Sequence, residues 1–109
     1  MGELEFSMID EMLEKARKAQ AVVENYTQEQ VDALVKAIGK AIYDNAEMLA
    51  NEAVTETGYG RVDSKIYKQQ KATAAAWYYL RDKKSVGIID NDTINGVVTF
   101  AKPVGVVAC

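Results

Sequence analysis

The chain has 109 residues, 49% of them apolar and 27% charged, a balance that fits one soluble globular domain and excludes wholesale disorder. It contains no His and a single Cys, Cys109, so by itself it can build no His-based dyad, Ser-His-Asp triad, His-ligated metal site, intrachain disulfide or Cys-cluster zinc site. The net charge of −3 hides an asymmetry: residues 1–60 carry 12 acids and 5 bases, whereas residues 61–109 carry 4 acids and 8 bases.

Ser7 followed by Asp10 reads as an N-cap with an acidic third residue. Behind it Ile9, Met12, Leu13, Ala16, Ala19, Val22 and Val23 recur every three or four residues, which predicts an amphipathic helix. Asn25-Tyr26-Thr27 interrupts that helix, and Thr27-Gln28-Glu29-Gln30 reads as a capping box for a second one. Its apolar stripe is Val31, Leu34, Val35, Ile38 and Ile42. Asp44-Asn45 is a re-capping point, after which Met48, Leu49, Ala53 and Val54 continue to Thr57, and Gly58 supplies a left-handed end. A further helix is predicted from an N-cap at Asp63 to about Asp82. Its buried side comprises Ile66, Gln70, Thr73, Trp77 and Leu80, flanked by Tyr67, Ala74 and Tyr78. The alanine-rich turn from Ala72 to Ala76 predicts a close helix–helix approach.

After Lys84 the period changes. Val86 to Ile89 is a short apolar run, Asp90-Asn91-Asp92 has turn chemistry, and Gly96 to Ala101 is β-branched and aromatic, which together predict a hairpin. Pro103 closes it. Residues 104–109 form an apolar run without alternation, the pattern of a strand buried on both faces in a parallel sheet. An apolar strand at a chain end would be an uncovered sheet edge, so the expectation is an N-terminal piece of something longer. The fold class expected is α+β: three to four helices, a hairpin, and the first strand of a further sheet.

Candidate functional residues are few, and each has a simpler reading. Lys65, Lys68 and Lys71 line one helical stripe, with Arg81, Lys83 and Lys84 just beyond it. They could attract an anionic nucleotide or coenzyme, but a solvated face with cations at a helix C-terminus is the reading preferred. Nucleic acid is disfavoured by the net acidity. Gly58-Tyr59-Gly60 is the one Gly-x-Gly, yet it follows a helix, where a phosphate loop needs a preceding strand. Glu52 and Glu56 lie at i, i+4 and read as an exposed acidic face in preference to a catalytic pair. Tyr67, Trp77, Tyr78 and Tyr79 read as packing in preference to a base-stacking platform, and Cys109 as a buried structural thiol in preference to a nucleophile. No apolar run approaches about 18 residues and the N-terminus is acidic, so neither a membrane span nor a signal peptide is expected. A lone Cys fits a reducing, cytoplasmic setting.

Several local strings, in order, resemble one family. Glu14-Lys15-Ala16-Arg17-Lys18-Ala19-Gln20 and Tyr26-Thr27-Gln28-Glu29-Gln30-Val31-Asp32 are similar to the opening helices of the CoA-acylating aldehyde dehydrogenases. Tyr43-Asp44-Asn45-Ala46-Glu47-Met48, with Asn51-Glu52-Ala53-Val54 and Thr57-Gly58, resembles the next helix of that family. Asp82-Lys83-Lys84-Ser85-Val86-Gly87-Ile88-Ile89 and Ala101-Lys102-Pro103-Val104-Gly105-Val106-Val107-Ala108 resemble its hairpin and first nucleotide-domain strand. The resemblance runs from about Glu14 onward and leans toward the succinate-semialdehyde branch. Asp63-Ser64-Lys65 and Gln69-Gln70 depart from the strings usual there.

The resemblance implies the N-terminal part of an α/β aldehyde dehydrogenase fold. Residues 1–84 would form a helical layer, 85–103 an oligomerisation hairpin, and 104–109 the start of the nucleotide-binding domain. It implies an oxidoreductase that converts an aldehyde, CoA and NAD(P) into an acyl-CoA and NAD(P)H, with NAD(P) and CoA as substrates of the parent enzyme. The nucleophile is expected beyond Cys109. No catalytic, cofactor-binding or metal residue is carried onto this chain, although 104–108 would lead toward the nicotinamide end of the cleft. Contact between copies is expected through residues 86–102, and the 109 residues alone are expected to be inactive. Two alternatives stand beside this: a non-catalytic helical interaction module presenting Trp77 and Tyr78 or the hairpin, and a segment of a hydrolytic, non-acylating aldehyde dehydrogenase.

Overall fold

In a computed structural model that describes residues 2–109, four helices precede one hairpin. The elements are α1 (Glu3–Val23), α2 (Gln28–Asp44), α3 (Ala46–Thr57), α4 (Val62–Leu80), β1 (Gly87–Asp92) and β2 (Val97–Ala101). They belong to two compact units. One takes the chain up to Val31 together with Lys84–Cys109; the other is Asp32–Lys83. The α+β expectation is borne out.

Helix boundaries follow cap chemistry, with instructive shifts. α1 starts five residues before the expected first turn behind Ser7, because the Gly2 amide donates to Glu5 Oε2 at 2.7 Å and glycine serves as N-cap. At its far end the Asn25 side chain donates to the Ala21 carbonyl at 2.9 Å. The Thr27 capping box forms as read: the Gln30 amide donates to Thr27 Oγ1 at 3.2 Å, and the Thr27 amide to Gln30 Oε1 at 2.9 Å. The break at Asn45 also forms, but its side chain works backwards. It donates to the Ala41 carbonyl at 2.8 Å, closing α2, and makes no cap bond to α3. Gly58 ends α3 at φ 68°, with its amide on the Val54 carbonyl at 2.8 Å, which is the left-handed cap expected. α4 is capped at Arg61, so Asp63 lies inside the first turn and is not the N-cap.

Within the Asp32–Lys83 unit, the buried apolar side chains are Ala46 and Ala50 of α3, at 1% and 0% exposure. α4 packs on α3 and turns Ile66, Gln70, Thr73 and Trp77 inward as expected, while Leu80, Tyr67, Ala74 and Tyr78 stay exposed. The close approach expected of residues 72–76 is made at Thr73, whose Cγ2 would lie 3.3 Å from a Cβ placed on Gly39 of α2. The alanines around Thr73 remain exposed, as do Ile38 and Ile42, at the far end of the α2 stripe.

In the other unit the hairpin turn falls three residues later than the Asp90-Asn91-Asp92 reading. Those residues complete β1, and residues 93–96 turn. Asp92 organises that turn: Oδ1 accepts from the Ile94 and Asn95 amides, both at 3.0 Å, and Oδ2 from Asn95 Nδ2 at 2.6 Å. Gly96 then takes φ 67° into β2. The strands pair antiparallel with Ile88 opposite Phe100, Asp90 opposite Thr99, Asn91 opposite Val98 and Asp92 opposite Val97. Ile89 is the extra residue of a bulge. Because opposed residues share a face, the bulge places Ile88, Asn91, Val98 and Phe100 on one side and Asp90, Asp92, Val97 and Thr99 on the other. Residues 104–109, expected to begin a buried strand, form no ladder with the described residues, since a strand needs a partner to pair with.

Candidate functional site

The feature with most chemical definition is the base of the hairpin. Gln28, the first residue of α2, points its side chain at the chain entering β1. Gln28 Oε1 accepts from the Ser85 amide at 2.7 Å and from the Val86 amide at 3.1 Å, and Gln28 Nε2 donates to Ser85 Oγ at 3.0 Å. Two backbone donors facing one atom require the oxygen there, so the amide orientation is fixed by its partners. Beside this clasp lies an open concavity of about 680 Å³, lined chiefly by Val23, Tyr26, Val31, Val86, Phe100 and Pro103. Its walls also carry Glu24, Asn25, Ser85 and Lys102, so it offers polar as well as apolar side chains.

The candidate residues of the sequence do not converge. Cys109 is exposed, which corrects the expectation of a buried thiol: with no ladder at residues 102–109, nothing covers it. Glu52 and Glu56 are exposed on α3, and the described residues contain no group of three or more His, Cys, Asp or Glu able to hold a metal ion. Tyr67, Tyr78 and Tyr79 are also exposed, against the packing expectation, and each lies under a cation. Lys71 sits 5.6 Å from the Tyr67 ring centre, Arg81 4.5 Å from Tyr78 and Lys83 4.3 Å from Tyr79. Half of the basic stripe is therefore already engaged by neighbouring rings. Trp77 is half-buried, with Lys36 at 6.0 Å.

A dinucleotide does not fit what is present. Gly58 and Gly60 follow a helix, and the helix opening after them carries its own anion. Asp63 Oδ1 accepts from the Ser64 amide at 2.8 Å, and Arg61 Nη2 donates to Asp63 Oδ2 at 2.7 Å. The Arg61 guanidinium first, and the Ser64 amide second, hold the Asp63 carboxyl below its ordinary 3.8. A phosphate at that helix end would meet an ionised carboxylate. No helix among the described residues is long and apolar enough to cross a membrane.

Comparison with known proteins supplies what the geometry lacks. No family model matches the chain. It is 52% identical over 100 residues to a succinate-semialdehyde dehydrogenase (acetylating) of Clostridium kluyveri, covering 92% of this chain and 22% of that protein. It is 46% identical over 101 residues to a sulfoacetaldehyde dehydrogenase (acylating) of Bilophila wadsworthia, again 22% of that protein. The chain is homologous to the acylating aldehyde dehydrogenases. It matches their N-terminal part and spans about a fifth of their length. The fold agrees: a crystal structure of an acetylating aldehyde dehydrogenase from Geobacillus thermoglucosidasius superposes with a TM-score of 0.76 at 35% identity, covering 87% of this chain and 22% of that one. A probable aldehyde dehydrogenase from Listeria monocytogenes gives 0.78 at 34% identity over 84% of this chain and 20% of that one. The family expectation is thus borne out. The Gln28 clasp has no local sequence signature, because its partners lie 57 and 58 residues away and a capping motif gives no hint of a long-range bond.

Proposed function

We propose that the chain is the structural N-terminal segment of a cytoplasmic enzyme that oxidises a small aldehyde with NAD(P) and delivers the acyl group to CoA. Residues 1–84 act as a helical layer, 85–103 as a hairpin through which copies meet, and 104–109 as the first strand of the nucleotide-binding domain. The supporting observation is the 52% identity to the acetylating succinate-semialdehyde enzyme, carried across 92% of this chain. The nicotinamide group, when bound, supplies hydride acceptance. The chain's own residues supply shape: two joined helices, a helix packed on them, and a hairpin held at its base by Gln28.

The test is a graft. This chain replaces the matching fifth of the Clostridium kluyveri relative, and NADH formation from succinate semialdehyde is followed with and without CoA. We expect a CoA-dependent rate within about tenfold of the parent, a transition-state cost near 1.4 kcal/mol, and no NADH from the 109 residues alone. A folded graft with no activity, or turnover by the isolated chain, would overturn the proposal. Activity of the chain's own full-length protein that ignores CoA would assign it to a hydrolytic dehydrogenase instead.

A further inference from the structure

The Gln28 clasp joins residues 57 and 58 positions apart. Side-chain bonds such as Asn51 to the Glu47 carbonyl and Asn95 to Asp92 join groups within a few positions of each other, inside a helix or a turn. The clasp ties the start of α2 to the chain entering β1. Both ends belong to the same compact unit. Immediately beyond the clasped amides comes Gly87 at φ 72°, a left-handed residue where the chain changes direction into the hairpin. The clasp therefore sits at the point where the direction of the hairpin is decided, and it holds two consecutive backbone donors there.

We propose that Gln28 is a positioning residue: it fixes the direction in which the β1–β2 hairpin leaves the α2 start, and thereby controls the pairing of copies through a surface it does not itself form. The pairing half of this rests on the contact role proposed above for the hairpin. The directional half stands on the clasp alone. The hairpin face that carries Ile88, Val98 and Phe100, with Asn91 opposite Val98, is useful to a second copy only when it points one way. Two hydrogen bonds to successive amides resist rotation about the chain in a manner one bond cannot.

The experiment uses the whole chain in three forms: wild type, Gln28→Ala and Gln28→Glu. A carboxylate at position 28 still accepts from both amides, can accept from the Ser85 hydroxyl where the Gln28 amide donated to it, and suits a helix N-terminus. Alanine abolishes all three bonds. Amide exchange at Ser85 and Val86 reads the clasp, exchange across β1 and β2 reads the hairpin itself, and sedimentation equilibrium reads pairing. We expect Gln28→Ala to speed exchange at Ser85 and Val86 by about tenfold or more, to leave the ladder amides protected, and to weaken pairing by about tenfold. Gln28→Glu should match wild type in all three readings. Unchanged exchange in Gln28→Ala overturns the clasp. Faster exchange with undiminished pairing overturns the positioning role, as does Gln28→Glu behaving like Gln28→Ala. A wild-type chain that stays monomeric overturns the contact reading and the pairing half with it, while exchange at the two amides still decides whether Gln28 holds the hairpin base.

Discussion

Gly39 is a position where the absence of a side chain does specific work. A Cβ there would lie 3.3 Å from Thr73 Cγ2, and Thr73 cannot easily turn away, because its hydroxyl donates to the Gln69 carbonyl at 2.6 Å. Alanine at 39 gains about 1 kcal/mol of helix propensity and meets that contact, so the two effects nearly cancel. Valine adds two methyl groups to the same gap and should cost about 1–3 kcal/mol. Urea unfolding of G39A and G39V checks this; a G39V midpoint equal to wild type would show that α2 and α4 are free to separate. Asp92 carries the pH dependence of the turn. The Asn95 side chain first, then the Asn95 and Ile94 amides, hold its carboxyl below the ordinary 3.8. A carboxylate with a lowered folded-state pKa contributes fully above 3.8 and loses that contribution as pH falls through the lowered value. The Asn95 amide resonance should therefore shift in an acid titration with a midpoint below 3.8, and Asp92→Asn should abolish the shift.

At the scale of elements, the hairpin shows what sequence can and cannot convey. Its two apolar runs are legible, and so is a polar turn, but composition points to Asp90-Asn91-Asp92 whereas the turn falls at residues 93–96. Asp-Asn-Asp has turn composition; what decides is that only Asp92 has two amides and a side-chain amide in reach of its carboxylate. The strict alternation of β1 would set Ile88, Asp90 and Asp92 on one face, mixing apolar and charged groups. The bulge at Ile89 shifts the phase by one residue and sorts them. Deleting Ile89 should therefore preserve the pairing of Ile88 with Phe100 and of Asp90 with Thr99, read as cross-strand nuclear Overhauser contacts. A slip of one residue in that pairing would contradict the account. The capping box at Thr27 and the left-handed Gly58 were legible because cap chemistry is local. The contact of Gly39 with Thr73, and the burial of Ala46 and Ala50, were not, since small residues carry no periodic signal of their own.

Over the whole chain, the described residues bury only two apolar side chains, both alanine, while Leu4, Ile94 and Val104 are 87%, 94% and 91% exposed. Family and fold were legible because short strings keep their order; the site was not, because the matched relatives are about five times longer and the candidate residues here never meet. With so little surface removed from water, unfolding should expose correspondingly little. We expect a urea m-value below the roughly 1–3 kcal/mol/M of small compact proteins, and strong binding of a hydrophobic dye at neutral pH. A steep, cooperative transition would show that the chain hides its apolar faces by itself.

The alanine seam of α3 carries one more consequence, for how this chain tolerates change. Ala46 and Ala50 are closed off by the chain's own helices, whereas larger apolar side chains such as Ile9, Leu13 and Phe100 still face outward. In a saturation-mutagenesis screen scored on the isolated 109 residues, intolerance should gather at positions 39, 46, 50 and 73, and substitutions at Ile9, Leu13 or Phe100 should pass almost silently. Scored on the grafted enzyme, those same three positions should become costly while the first four stay as they were. Comparing the two maps would draw, residue by residue, the outline of whatever the rest of the protein lays over this segment.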